Sequence, residues 1–350
     1  MRLNRHPDNP IITAGDVKPS RPDFEVVYVM NCGVTRFEGD VLLFLRVAET
    51  AIQDDEKISK VPFWCECEKK LIIKEFDKTD KNIDFSDSRF VRTPERTYLS
   101  SISHLRVARS KDGINFKIDE APNMYPCNEY EQYGIEDPRI TKFDDTYWIN
   151  YSACSAVTGV TTCLASTKDW KNFKRHGVIF TPDNKDICIF PEKINGKYYA
   201  FNRPHSAEYG TRDMWISESP DLISWGNHRL CMTARKDMWD DCRVGCSAVP
   251  FLTDKGWLEI YHGASLEDRY CLGAVLMDKD EPWKIIARMD EELMKPETEY
   301  ELKGFYGNVI FNCGALFEEG MVRIYYGGAD TVTAYAEVPL ADIMSKLNPC

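Results

Sequence analysis

The chain has 350 residues, of which 43% are apolar and 12% aromatic, and a formal net charge of −12. This balance supports a large core and argues against nucleic acid or an anionic membrane surface as the main partner. No run of about 18 apolar residues occurs, which excludes a membrane-spanning helix, and the polar start Met1–Asp16 lacks the apolar segment of a secretion signal.

Residues 1–30 read as an extended lead-in punctuated by Pro7, Pro10, Pro19 and Pro22. A pattern then recurs five times. The first unit runs from NCGVTRF (Asn31–Phe37) through the polar turn EGD to VLLFLR, and resumes after an interruption with LRVARSKDGINF. The second has EDPRITKF (Glu136–Phe143), DDT, YWINYS and TCLASTKDWKNF. The third has DICIFPEKI (Asp186–Ile194), NGK, KYYAFNR and MWISESPDLISW. GCSAVPFLT (Gly245–Thr253), DKG, WLEIYH and CLGAVLMDKDEPW make the fourth, and NVIFNCGALF (Asn308–Phe317), EEG, VRIYYGG and the weaker TAYAEVPLADIM the fifth. Units spaced roughly 50–60 residues apart read as blades, so the expected fold is an all-β five-bladed β-propeller, one domain across residues 1–350.

The interruption, residues 51–100, is rich in charge and aromatics and falls between the second and third strands of the first unit. It can cover the mouth of the ring, reach another subunit of a homo-oligomer, or form a plain surface hairpin. Asp342–Leu347 suits a short terminal helix. Thirteen cysteines are scattered along the chain, with Cys65-x-Cys67 and Cys242-x3-Cys246 as the close pairs and no histidine pair at zinc-site spacing. They read as small buried hydrophobes in a reducing compartment, which implies a cytoplasmic protein without a metal site.

In a propeller the first strand of each blade lines the central channel. At or beside the first strands lie Asn31, Asp137, Asp186, Arg243 and Asn312, and at the far ends of the second strands lie Arg46, Tyr151, Arg203, His262 and Tyr326. These ends share one face of the ring, so a polar axial pocket is expected. Each residue also has a plain structural reading. Asp137 precedes Pro138, where a carboxylate often caps a turn. Arg139 can bridge to Glu136 or Asp137 within the scaffold. Arg203, if buried, needs an anionic partner, whether side chain or ligand. Arg243 follows two aspartates, His205 and His262 can be satisfied core histidines, and the glycines before Asp330 fit a turn.

The segments GIEDPRI, DNKDICIFPEKINGKYYAFNRP, GWLEIYHG and IYYGGAD occur in this order, and with them the chain from Asn31 to Ile343 resembles glycoside hydrolase family 130, the mannoside phosphorylases and related enzymes. The resemblance implies a five-bladed propeller with Asp137 as the single catalytic acid. It implies phosphate-binding positions at Asn184, Arg203, Arg243 and His262, and sugar-binding positions at Asn31, Arg46, His205 and Asp330. The implied reaction is inverting phosphorolysis of β-1,2-mannobiose or β-1,2-oligomannan to α-mannose 1-phosphate and a shortened sugar. Alternatives are a β-1,4-mannooligosaccharide or mannosylglucose phosphorylase, and a phosphate-independent β-mannoside hydrolase. Two departures stand out: Arg243 replaces a common lysine, and Asp183 stands where some members carry a further arginine. The chemistry is coherent. An inverting glycosidase needs a second carboxylate to activate water, whereas phosphate is already an anionic nucleophile and needs cations to hold it, for which planar guanidinium forks suit. Phosphate is then a co-substrate, and neither cofactor nor metal is called for.

Overall fold

The computed structural model describes residues 1–205 and 210–350 and is built almost wholly of β-strands. No helix among the described residues is long and apolar enough to cross a membrane. Five successive antiparallel units follow the sequence repeat. Unit one comprises Phe24–Phe37, Asp40–Ala51, Ile102–Ser110 and the short Lys117–Ile118. Unit two comprises Gly134–Phe143, Thr146–Ser155, Gly159–Thr167 and Lys174–Phe180. Unit three is Asn184–Ile189, Tyr198–Pro204, Met214–Ser219 and Gly226–Met232. In unit four the first strand is interrupted, as Arg243–Cys246 and Phe251–Thr253, before Gly256–Ala264, Tyr270–Met277 and Ile285–Met289. Unit five is Ile310–Glu318, Met321–Gly328 and Val332–Pro339, and its outer strand is the N-terminal Asn4–Arg5.

The polar turns close the first hairpins for a definite reason. Two-residue loops that match the twist of the flanking strands need both central residues in the left-handed region. Glu38–Gly39 (φ 51° and 91°), Asn195–Gly196 (52° and 80°) and Glu319–Gly320 (53° and 76°) meet that need, with glycine where the strain would be largest.

The core is divided among the units. Leu42, Phe44 and Leu105 of unit one pack with Ile135, Ile149 and Ala165 of unit two, and Leu164 of unit two packs with Ile187, Ile189 and Ala200 of unit three. Phe201 and Ile216 of unit three meet Val244, Trp257 and Tyr261 of unit four. Leu258, Ile260 and Leu272 of unit four meet Ile310, Val322 and Ile324 of unit five. Tyr325 and Tyr335 of unit five then pack with Val29, Leu43 and Leu45 of unit one. Each cluster therefore belongs to two units, and the last unit shares one with the first.

The insertion forms two hairpins, Ile58–Cys65 with Lys70–Asp77 and Phe90–Arg92 with Thr97–Leu99. Val61, Phe63, Val91 and Tyr98 bury against Tyr133 and Cys154 of unit two, and the Trp64 N–H donates to the Gln132 carbonyl at 3.0 Å. The terminal helix lies at Leu340–Met344 rather than Asp342–Leu347. Leu347–Pro349 instead pairs with Ile285–Met289 as an extra outer strand of unit four, because edge pairing satisfies backbone groups that a short helix end would leave open.

Candidate active site

The first strands of units one, two and three slip by one residue at corresponding places. The slips fall between Met30 and Gly33, Glu136 and Arg139, and Lys185 and Cys188. The first extra residue in each bulge is left-handed: Asn31 (φ 48°), Asp137 (49°) and Asp186 (55°). Asparagine and aspartate tolerate that region better than other non-glycine residues, and a bulge re-aims the side chain it carries. All three residues line one cleft of about 420 Å³.

One side of the cleft is a carboxylate cluster held by an arginine. Arg46 donates from Nη1 to Asp137 Oδ1 at 2.9 Å, from Nη2 to Glu136 Oε1 at 2.8 Å and from Nε to Ser103 Oγ at 3.2 Å. Asn31 Nδ2 donates to the same Asp137 Oδ1 at 3.1 Å, so both donors fall on one oxygen of that carboxylate. Asn31 Oδ1 is buried without a hydrogen-bond partner among the described residues. It is also crowded: a Cβ at Gly327 would lie 2.3 Å from it, so unit five approaches this closely only through glycine. Burial works against the Arg46 charge, but Glu136, Asp137 and Asp330 outweigh it and raise its pKa. Asp330 is pushed up to about 6, because burial together with Asp137 and Glu136 exceeds the opposing pull of Arg46.

The other side is cationic. Arg203 places Nε and Nη2 each 2.7 Å from Asp186 Oδ2, and Arg139 Nη2 reaches Asp186 Oδ1 at 3.4 Å. Two guanidiniums thus share one carboxylate. Burial would raise the Asp186 pKa, yet Arg203, His262 and Arg139 hold it far below the carboxylate range. His262 is fully buried, with Nε2 3.5 Å from Asp186 Oδ2 and Nδ1 3.0 Å from Ser247 Oγ. Burial, with Arg203 and Arg139, lowers it to about 3 despite Asp186, so the ring is neutral near pH 7. Arg243 donates to the Tyr270 hydroxyl, sits 5.2 Å over that ring, and meets the exposed Asp268 at 3.3 Å.

Of the residues singled out from sequence, Asn31, Arg46, Asp137, Asp186, Arg203, Arg243 and Asp330 line the cleft. Asn184, His205 and His262 are not among its lining residues. Asn184 Nδ2 is turned to Asn202 Oδ1 at 3.2 Å, and the His205 N–H is bonded to the Asp183 carbonyl at 2.9 Å. Tyr151 and Tyr326 are buried on Glu131 and Glu301. Arg139 is a scaffold bridge, but to Asp186 rather than to a neighbouring carboxylate side chain. Both arginines expected to grip an anion already hold a carboxylate, Arg203 in a buried pair and Arg243 at the surface. The sequence reading missed Lys185, Tyr270 and Tyr306 as lining residues, together with Arg89 and Phe90 of the insertion. Lys185 alone had a usable signal, standing one residue before a recurrent bulge. Among the described residues, the group of metal-capable side chains is Cys65, Cys67 and Glu68, none of which lines the cleft.

Residues 88–348 match the family profile described as beta-1,4-mannooligosaccharide phosphorylase, Glyco_hydro_130. The chain belongs to glycoside hydrolase family 130. It is similar to a beta-1,2-mannobiose phosphorylase of Listeria innocua, at 44% identity across 99% of each chain. A 1,2-beta-oligomannan phosphorylase of Thermoanaerobacter is 40% identical over 71% of this chain and 83% of its own. The solved structure of the Listeria innocua enzyme in complex with beta-1,2-mannobiose superposes with a TM-score of 0.94, covering 99% of each chain. The family 130 segments GIEDPRI and DNKDICIF are the two that carry the Asp137 and Asp186 bulges.

Proposed function

We propose that this family 130 protein is an inverting mannoside phosphorylase that converts β-1,2-mannobiose or β-1,2-oligomannan and phosphate into α-mannose 1-phosphate and a shortened sugar. The observation that carries it is the division of one cleft into two chemistries. Asp137 stands in the Asn31–Arg46–Asp330 half, while Lys185, Arg203 and Arg243 form the other. A mannosyl unit held in the first half lies between an acid and a source of bound anion. The likeness to the Listeria innocua and Thermoanaerobacter enzymes favours the β-1,2 linkage.

In this reading Asp137 delivers the proton that the departing glycosidic oxygen needs, through a hydroxyl of the mannosyl unit. Arg46 and Asn31 fix its orientation. Phosphate enters against Lys185, Arg203 and Arg243. Asp186 neutralises one of the two buried guanidiniums that share it, so Arg203 and Arg139 together retain a surplus positive charge that attracts an anion. His262, neutral and buried, positions Asp186 and Arg203 rather than adding charge.

The shared core clusters, which run from each unit to the next and from the fifth back to the first, support a closed five-bladed propeller around this cleft. The free cysteines fit a reducing compartment and a cytoplasmic location. Incubating the protein with β-1,2-mannobiose with and without phosphate tests the function. Mannose 1-phosphate formed only with phosphate is expected; free mannose formed equally in both would assign a hydrolase instead.

A further inference from the structure

A second cleft of about 370 Å³ lies between the opening strand of unit one and the second hairpin of the insertion. Phe90 lines both clefts. Arg89 completes the partition, its guanidinium 5.3 Å over the Phe90 ring and 5.7 Å over that of Tyr306. The second cleft has a different chemistry from the first. No arginine lines it; Lys60 is paired with Asp54, and Asp87 is held by Arg89 at 2.8 Å. The rest of the lining includes the rings of Tyr28 and Phe85, the hydroxyls of Thr50, Ser59 and Ser88, and the exposed Lys78. Such a wall suits a neutral polyhydroxylated chain: rings take the C–H faces of sugars, and small polar groups fix their hydroxyls.

The geometry points to the second cleft as the binding site for the distal sugars of a longer β-mannan, with the chain passing from the catalytic cleft over Phe90. This rests on the phosphorylase reading above. The acid and the cations occupy the interior of the first cleft, whereas Arg89 and Phe90 are its only lining residues drawn from the insertion. A leaving sugar chain that extends past them meets the second cleft next. The insertion then sets the preferred chain length, while the bond broken is set elsewhere.

The test compares phosphorolysis of β-1,2-mannobiose and β-1,2-mannotetraose by the wild type, Ser88→Trp and Tyr28→Ala. Ser88 is exposed, so a larger side chain there fills the cleft without disturbing the core. Neither residue lines the first cleft. Tyr28→Ala is expected to lower kcat/KM for the tetraose ~2–10-fold, the span one aromatic contact supplies, and Ser88→Trp to lower it at least as far. Mannobiose turnover should stay at the wild-type level. Equal effects on both sugars, or none on the tetraose, would overturn the assignment. Calorimetric binding of β-1,2-mannotetraose to the same three proteins separates this from the reaction itself. If the wild type turns over neither sugar, the phosphorylase reading fails; tetraose binding weakened by Ser88→Trp would still support the second cleft, and unaltered binding would reject it.

Discussion

Asn31 Nδ2 donates to Asp137 Oδ1 across 3.1 Å and so ties the first strands of units one and two together at their left-handed bulge residues. With Arg46 on the same oxygen, the carboxylate is held on one side only. Its other oxygen receives no donor among the described residues, as a proton-delivering group requires. Preorganisation of this kind places the acid without spending the oxygen that must act.

Asp137→Asn should retain an acceptor for Arg46 and Asn31 but cannot give up a carboxylic proton. Phosphorolysis is expected to fall ~10²–10⁴-fold, the usual worth of general acid catalysis. The thermal midpoint should hardly move, since both hydrogen bonds have a substitute partner. Steady-state rates beside melting curves check this; a near-wild-type rate would remove Asp137 from the chemistry.

Arg243→Ala should raise KM for phosphate far more than KM for the mannoside. Its ionic partner Asp268 is exposed, so the lost pair contributes only ~0–1 kcal/mol to stability. Varying each substrate in turn gives the answer. Equal rises in the two constants would place Arg243 outside the anion site.

Gly245 of unit four lies against the side chains of His262 and Arg203. A Cβ there would lie 2.6 Å from His262 Cε1 and 3.0 Å from Arg203 Cδ. Gly245→Ala is expected to destabilise by ~1–3 kcal/mol through overpacking and to weaken phosphate use by displacing Arg203. Denaturant unfolding and phosphate KM measure the two effects, and an unchanged KM would uncouple this contact from the anion site.

Much of this was legible in the sequence because period and turn chemistry are local signals. The X-Gly turns at residues 38–39, 195–196 and 319–320 marked the hairpins, and the first strands they close carry Asn31 and Asp186. Asn31, Arg46, Asp137, Asp186, Arg203 and Arg243 share one cleft, as strand-end positions of a repeat imply, whereas Tyr151, His262, Asn312 and Tyr326 from the same set do not line it. What was hidden depends on which atoms meet across units. Nothing local shows that Arg139 and Arg203 converge on Asp186, nor that His262 is sealed behind them. Tyr270 and Tyr306 come from third-strand and loop positions with no polar periodicity, and Arg89 arrives from an insertion outside the repeat. The outer strands supplied by Asn4–Arg5 and Leu347–Pro349 are too short to leave a pattern.

Asp330 gives the expected pH dependence. Its carboxyl titrates near 6 in the folded protein, above the ordinary value of 3.8. A raised folded pKa contributes stability that is fully present below about pH 4 and is lost as the pH rises through 6. Asp330→Asn, which keeps a residue tolerant of φ 49°, removes that titration. The melting temperature of the variant should therefore gain on the wild type between pH 4 and pH 7. A difference that stays constant over this range would contradict the assigned shift.

The central claim is that phosphate, held by the cationic half of the cleft, attacks a mannosyl unit whose leaving oxygen is protonated from the Asp137 side. The most direct measurement is proton and phosphorus NMR of the first turnovers of β-1,2-mannobiose in unlabelled phosphate and ¹⁸O-water. The account predicts α-mannose 1-phosphate as the initial product, free of ¹⁸O. Initial formation of the β anomer, or of ¹⁸O-labelled mannose in place of the sugar phosphate, would contradict it.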